Sequence, residues 1–126
     1  MKRTQAIILA AALLFACLSA ILLFPQEKPE KEISWEEAAN YYGQTVWVRG
    51  KVVATNNTGK VCFLNFHRNW KRYFTVVIFA SSFSRFPEPP EKLYLNKEIR
   101  VYGRLKEYQG KPEIIVESPD QIEIIK

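Results

Sequence analysis

Residues 45–55 read TVWVRGKVVAT, and the fold turns on the period found in them. Val46, Val48, Gly50 and Val52 fall on one side of the chain, Trp47, Arg49, Lys51 and Val53 on the other. That is the period of two that belongs to a β-strand. Asn56-Asn57-Thr58-Gly59 has the composition of a turn, and Val61 to Phe66 returns as a second strand. A polar interruption, His67 to Lys71, separates it from a third, Arg72 to Ala80, RYFTVVIFA. The stretch that follows, SSFSRFPEPPEKLYLN, carries three prolines and cannot be a central strand. It reads as a long connection with room for one helical turn. Ile99 to Leu105 gives strand four, Tyr108 to Lys111 a turn, and Glu113 to Val116 with Gln121 to Ile125 a strand five broken at Ser118-Pro119-Asp120.

Five such strands cannot bury both faces in an open sheet, so the expectation is an all-β domain closed into a small five-stranded barrel. Gly50 and Gly103 sit in similar settings, VRGKV and VYGRL, where a missing side chain lets a strand coil sharply. Upstream, Ser34-Trp35-Glu36-Glu37 has capping-box spacing and predicts a short helix leading into the barrel. Residues 33–126 make one domain, and residues 25–32, PQEKPEKE, a charged exposed spacer. Phe63, Phe66, Phe74, Val76, Ile78 and Phe79 are core candidates, with alternation turning some outward. Phe83, Phe86 and Tyr94 are placed to plug a barrel end.

Before the spacer, Lys2 and Arg3 precede an uncharged run from Thr4 to Phe24. Its apolar core from Ala6 would rise about 28 Å as a helix, close to a hydrocarbon thickness of roughly 30 Å. Residues 1–24 are therefore expected to be a transmembrane signal anchor, single-pass, with the C-terminal domain extracytoplasmic. A lipobox-like Leu14-Phe15-Ala16-Cys17 and a cleaved signal are the competing readings. Cys62 is left alone in the domain, within the apolar run VCFLNF, and reads as a core thiol.

Charge points to function. From Ala38 through Pro87 there is no acidic residue, while Arg49, Lys51, Lys60, Arg68, Lys71, Arg72 and Arg85 are positive. Such a half-domain would attract a phosphate backbone. His67-Arg68-Asn69-Trp70-Lys71-Arg72-Tyr73 sets rings among cations, a pattern suited to stacking bases while contacting phosphates. A solvated basic hairpin with Trp70 folded onto the barrel is the plainer alternative. Trp47 has the same two readings, packed or stacked.

The order VWVRGKVV, GKVCFLNFHRNWKRYFTVVIF, a proline-bearing linker, then KEIRVYGRLKEYQGKPEIIVESPDQIEII resembles the OB-fold domains related to tRNA-anticodon-binding and single-stranded-DNA-binding modules. The resemblance covers about Thr45 to Ile125; with the anchor expected over 1–24, which departs from the usual cytosolic member, the chain would be a membrane-anchored member. It implies that strands two and three form the contact face, at Lys60 to Phe66 and Arg72 to Phe79. It also implies that Arg104, Tyr108 and Lys111, on the hairpin of strands four and five, flank the groove.

The expected function is binding of single-stranded DNA or RNA with little sequence specificity. The alternative is an envelope interaction or scaffold module that binds protein or polysaccharide, or a basic face laid on anionic lipid. No catalytic residues, metal or cofactor are expected: His67 has no carboxylate near it in sequence, and no nucleophile motif or phosphate-cradling glycine loop occurs.

Overall fold

The computed structural model describes residues 31–126. It contains two hydrogen-bonded sheets in place of the closed five-stranded barrel. The four-stranded sheet runs β1 (Glu32–Ser34), β2 (Thr45–Lys51), β6 (Glu98–Arg104), β9 (Ile122–Ile124). The five-stranded sheet runs β3 (Ala54–Asn57), β4 (Val61–Asn65), β5 (Thr75–Phe79), β8 (Lys111–Ile115), β7 (Lys106–Tyr108).

The correction has a local cause. The strand expected over 45–55 bends at Val52 and Val53, where Val52 N–H donates to the Lys97 carbonyl and Val53 N–H to that of Asn65. One residue thus joins each sheet, and β2 and β3 part company. Leu105 makes a similar break between β6 and β7. The broken fifth strand proves to be two strands in different sheets: β8 lies parallel to β5, and β9 pairs antiparallel with β6. Between them Ser118 and Gln121 form a capping box around a single 3₁₀ turn, Pro119–Gln121.

The helix expected at Ser34 is 3₁₀, Trp35–Asn40, and Ser34 Oγ accepts from Glu36 N–H at 3.4 Å rather than from the third helical position. At the end of the expected spacer, Glu32 belongs to β1 and Trp47 N–H donates to the Lys31 carbonyl. The proline-bearing connection holds two helical segments, a 3₁₀ helix at Ala80–Arg85 and α1 at Pro90–Leu93. The anchor expected over 1–24, with its single-pass topology, extracytoplasmic placement and membrane attachment, lies outside the described residues. Among the described residues no helix is long and apolar enough to cross a membrane, and none of them supplies the expected anchor.

The core lies between the sheets. Val46, Val48, Ile99 and Val101 meet Cys62, Leu64, Val76, Ile78, Ile114 and Val116, all within 1% of full burial. Phe86 and Tyr94 from the connection close one end edge to face, their centroids 6.2 Å apart. Gly103 permits a close approach of the sheets, since a Cβ there would stand 2.5 Å from Ile114 Cγ2.

Burial pushes the Cys62 thiol up to about 12, helped by the negative field of Glu91. At about pH 8 the folded protein should therefore resist iodoacetamide at Cys62, while protein unfolded in urea is alkylated readily. Mass spectrometry of the Cys62 peptide reads the difference. Equal alkylation in both states would contradict this packing.

Candidate nucleic-acid interface

With Cys62, Leu64, Val76 and Ile78 turned into the core, alternation directs Val61, Phe63 and Asn65 of β4, and Thr75, Val77 and Phe79 of β5, to the opposite face. Register then lays out rows across the five-stranded sheet. Val61 lies beside Phe79; Asn56, Phe63, Val77 and Ile115 form a second row; Ala54, Asn65, Thr75, Glu113 and Lys106 a third. Tyr108 and Lys111 extend it.

Two depressions adjoin at Phe63. One, about 300 Å³, is lined by Ala54, Thr55, Asn56, Phe63, Asn65 and Trp70. The other, about 280 Å³, includes Val77, Phe79, Lys106, Tyr108 and Ile115. Together they make one groove over the sheet, rimmed by the exposed rings of Trp70, Phe79 and Tyr108, which are 51%, 48% and 53% exposed.

A polar ladder underlies the groove. Lys111 Nζ donates to the Trp70 carbonyl at 2.8 Å and to Thr75 Oγ1 at 3.0 Å, and Thr75 Oγ1 donates to Asn65 Oδ1 at 2.9 Å. Burial draws the Lys111 amine down against the pull of Glu113, and pushes the Glu113 carboxyl up against Lys106 and Lys111.

The expected site residues divide into four groups. Trp70, Lys71 and Tyr108 are at or beside the groove, with Lys71 Nζ 5.6 Å from the centroid of the Trp70 ring. Lys111, expected on an open hairpin, is only 7% exposed and committed to the ladder. His67 and Tyr73 hold each other at 4.2 Å between centroids and pack against Trp35 at 6.1 and 5.8 Å, so these rings anchor the loop ends.

The cations do not converge on one face. Arg49 and Lys51 stand on the four-stranded sheet, where Arg49 Nε meets Glu98 Oε1 at 3.3 Å. Lys51, His67 and Arg68 border a separate shallow depression with Asn96. Arg72 is exposed in the β4–β5 loop, Lys60 in the β3–β4 turn, and Arg104 at the end of β6. Arg85 donates to the Glu117 carbonyl at 2.9 Å. The bend at Val52 puts Arg49 and Lys51 on a different sheet from the β3–β4 turn and the β4–β5 loop. Trp47 is packed, with the Arg100 guanidinium 4.1 Å from its ring centroid and Tyr102 at 5.1 Å.

Phe63, Phe79 and Lys106 belong to the groove. The resemblance had placed Phe63 and Phe79 within the contact stretches without singling them out, and Lys106 was not expected there. Among the described residues no three His, Cys, Asp or Glu side chains gather as a metal site would require.

No protein-family model and no curated protein sequence matches the chain. Solved structures do. Asparaginyl-tRNA synthetase from Entamoeba histolytica, in complex with asparaginyl-adenylate, aligns over 79% of this chain and 24% of its own, with TM-score 0.55 and 20% identity. Aspartyl-tRNA synthetase of the same organism aligns over 80% and 23%, with TM-score 0.52 and 18% identity. An OBody bound to hen egg-white lysozyme aligns over 79% of this chain and 98% of its own, with TM-score 0.52 and 20% identity. The chain thus spans about a quarter of the synthetases' length. At these identities the shared property is the fold: the chain has the fold of these OB-type domains.

Proposed function

We propose that this domain is a binding module that takes a single strand of nucleic acid, with little base preference, along the groove of the five-stranded sheet, and carries no reaction of its own. The observation that carries the reading is the set of exposed rings, Trp70, Phe79 and Tyr108, around a floor containing Phe63. Every base has a face to stack, so exposed rings around a groove favour single strands over duplexes and tolerate any sequence. Lys71 and Lys106 supply cations beside those rings, and Arg72 stands in the same loop. Two of the structural neighbours are tRNA synthetases, named for a nucleic acid, which agrees with the reading.

Fluorescence anisotropy of the full chain with labelled oligothymidylate and oligouridylate, titrated across salt, tests it. Contact of three phosphates by these cations predicts a slope of about −2 in log affinity against log salt. Duplex of the same length should bind more weakly. Absence of binding at low salt removes the proposal.

A protein partner is the second reading. Val61, Phe79 and Ile115 make the β4–β5 part of the groove apolar, and an OBody of the same fold is bound to lysozyme. A partner crosslinked and captured with the chain, and retained after nuclease treatment, would favour it.

A further inference from the structure

The tip of the β4–β5 loop carries the ring that matters most to the groove, yet its own hydrogen bonds are internal. Asn69 N–H donates to His67 Nδ1 at 2.9 Å, and Arg72 N–H to the Asn69 carbonyl at 3.1 Å. His67 and Tyr73 fasten the loop at its ends against Trp35. Trp70 lies between those ends, half exposed. What reaches it from the sheet is the Lys111 side chain, 41 residues later in sequence, whose amine sits 2.8 Å from the Trp70 carbonyl and 5.3 Å from its ring centroid.

We infer that Lys111 is a positioning residue: a buried ammonium that latches the β4–β5 loop onto the five-stranded sheet and holds the Trp70 ring over the groove. The chemistry suits the task. An ammonium has three donors and no acceptor, so it can tie a backbone carbonyl and a side-chain hydroxyl together without competing internal bonds. Thr75, fully buried in β5, is the fixed end of the tie, and Trp70 the end that needs fixing. Glu113, on the same strand and 5% exposed, sets the local field that keeps a charge tolerable there. Removing one member of a buried charged pair ordinarily costs stability, but Glu113 keeps the field of Lys106 after the substitution. What this amine supplies is then location, and Lys111→Met should remain folded.

The inference has two arms, and its binding arm rests on the proposed function. In the first, the full chain is labelled with fluorotryptophan and the Trp70 resonance is assigned from Trp70→Phe. Lys111→Met should shift or broaden the Trp70 resonance and leave those of Trp35 and Trp47 in place. An unchanged Trp70 resonance, or equal movement of all three, overturns the latch.

In the second arm, oligothymidylate affinity is measured by anisotropy. Lys111→Met should weaken binding about tenfold, as expected when a stacking ring is lost from its place. In a Trp70→Ala background the same substitution should change affinity by less than about twofold, because the two residues act as one unit. Equal loss in both backgrounds would make Lys111 a direct phosphate contact and overturn the inference. If Lys111→Met does not fold, Lys111→Gln, which keeps one donor, should show a smaller displacement of the same resonance, and none would count against the latch. Failure of the wild-type chain to bind any oligonucleotide defeats the proposed function, while the resonance arm still decides the latch.

Discussion

Replacing Gly50 with valine is expected to lower folding stability by about 3 kcal/mol, at the upper end of what overpacking a core ordinarily costs. The position faces inward from β2, and a Cβ built there collides with the Trp35 ring and stands 2.7 Å from Phe66 Cδ1. Three features keep the structure from giving way. Gly50 is paired with Ile99 inside an antiparallel ladder that spans all seven residues of β2, so the backbone cannot move alone. Phe66 is 2% exposed and leans on Phe74 at 5.0 Å between centroids. Trp35 belongs to the 3₁₀ helix and to the ring cluster with His67 and Tyr73, so displacing it would disturb the β4–β5 loop as well. Urea unfolding should show a lower midpoint with an unchanged slope. Lys51→Ala, next along the strand and exposed, should stay within about 0.5 kcal/mol of wild type. A valine variant as stable as the parent would show that the 3₁₀ helix does not pack on β2 as described.

The second large effect is on binding. Trp70→Ala combined with Phe79→Ala is expected to weaken oligothymidylate binding by at least roughly 30-fold, since a base stacked on a ring contributes about 1–3 kcal/mol. These rings rim the groove at the loop end and at the end of β5, so their loss should strip both ends of a bound strand. Both side chains are about half exposed, and thermal unfolding should move little. Leu95→Ala and Val53→Ala provide the contrast. They remove exposed apolar groups outside the groove, 39% and 37% accessible, and should alter affinity by less than about twofold. Wild-type affinity in the double variant would mean that nucleic acid, if bound, uses another surface.

How far each feature was legible follows from contrast in the sequence. Val46 and Val48 alternate with Thr45, Trp47 and Arg49, so β2 and its inward face were readable, whereas Gly50 and Gly103, read as points of sharp coiling, are points of close packing. Val61–Asn65 and Thr75–Phe79 are apolar on both faces, so period two carried no contrast, and Phe63 and Phe79 could not be told from core. β1 was hidden because Glu32 and its neighbours look like spacer. Its parallel pairing with β2 is a tertiary fact. Lys111 looked like a surface residue because most lysines are, and nothing local announces that Trp70 needs its amine. The acid-free half suggested one positive face, but sequence neighbours separated at Val52 cannot share one.

The parallel pairing of β5 with β8 has a bearing on how the chain comes off the ribosome. An antiparallel neighbour can zip up from an adjacent hairpin, whereas β5 must wait for residues 111–115 to be made before its outer edge finds a partner. Until then Thr75–Phe79 presents open amides and valines to anything nearby, which marks this strand as one exposed to aggregation during synthesis and served by chaperone cover.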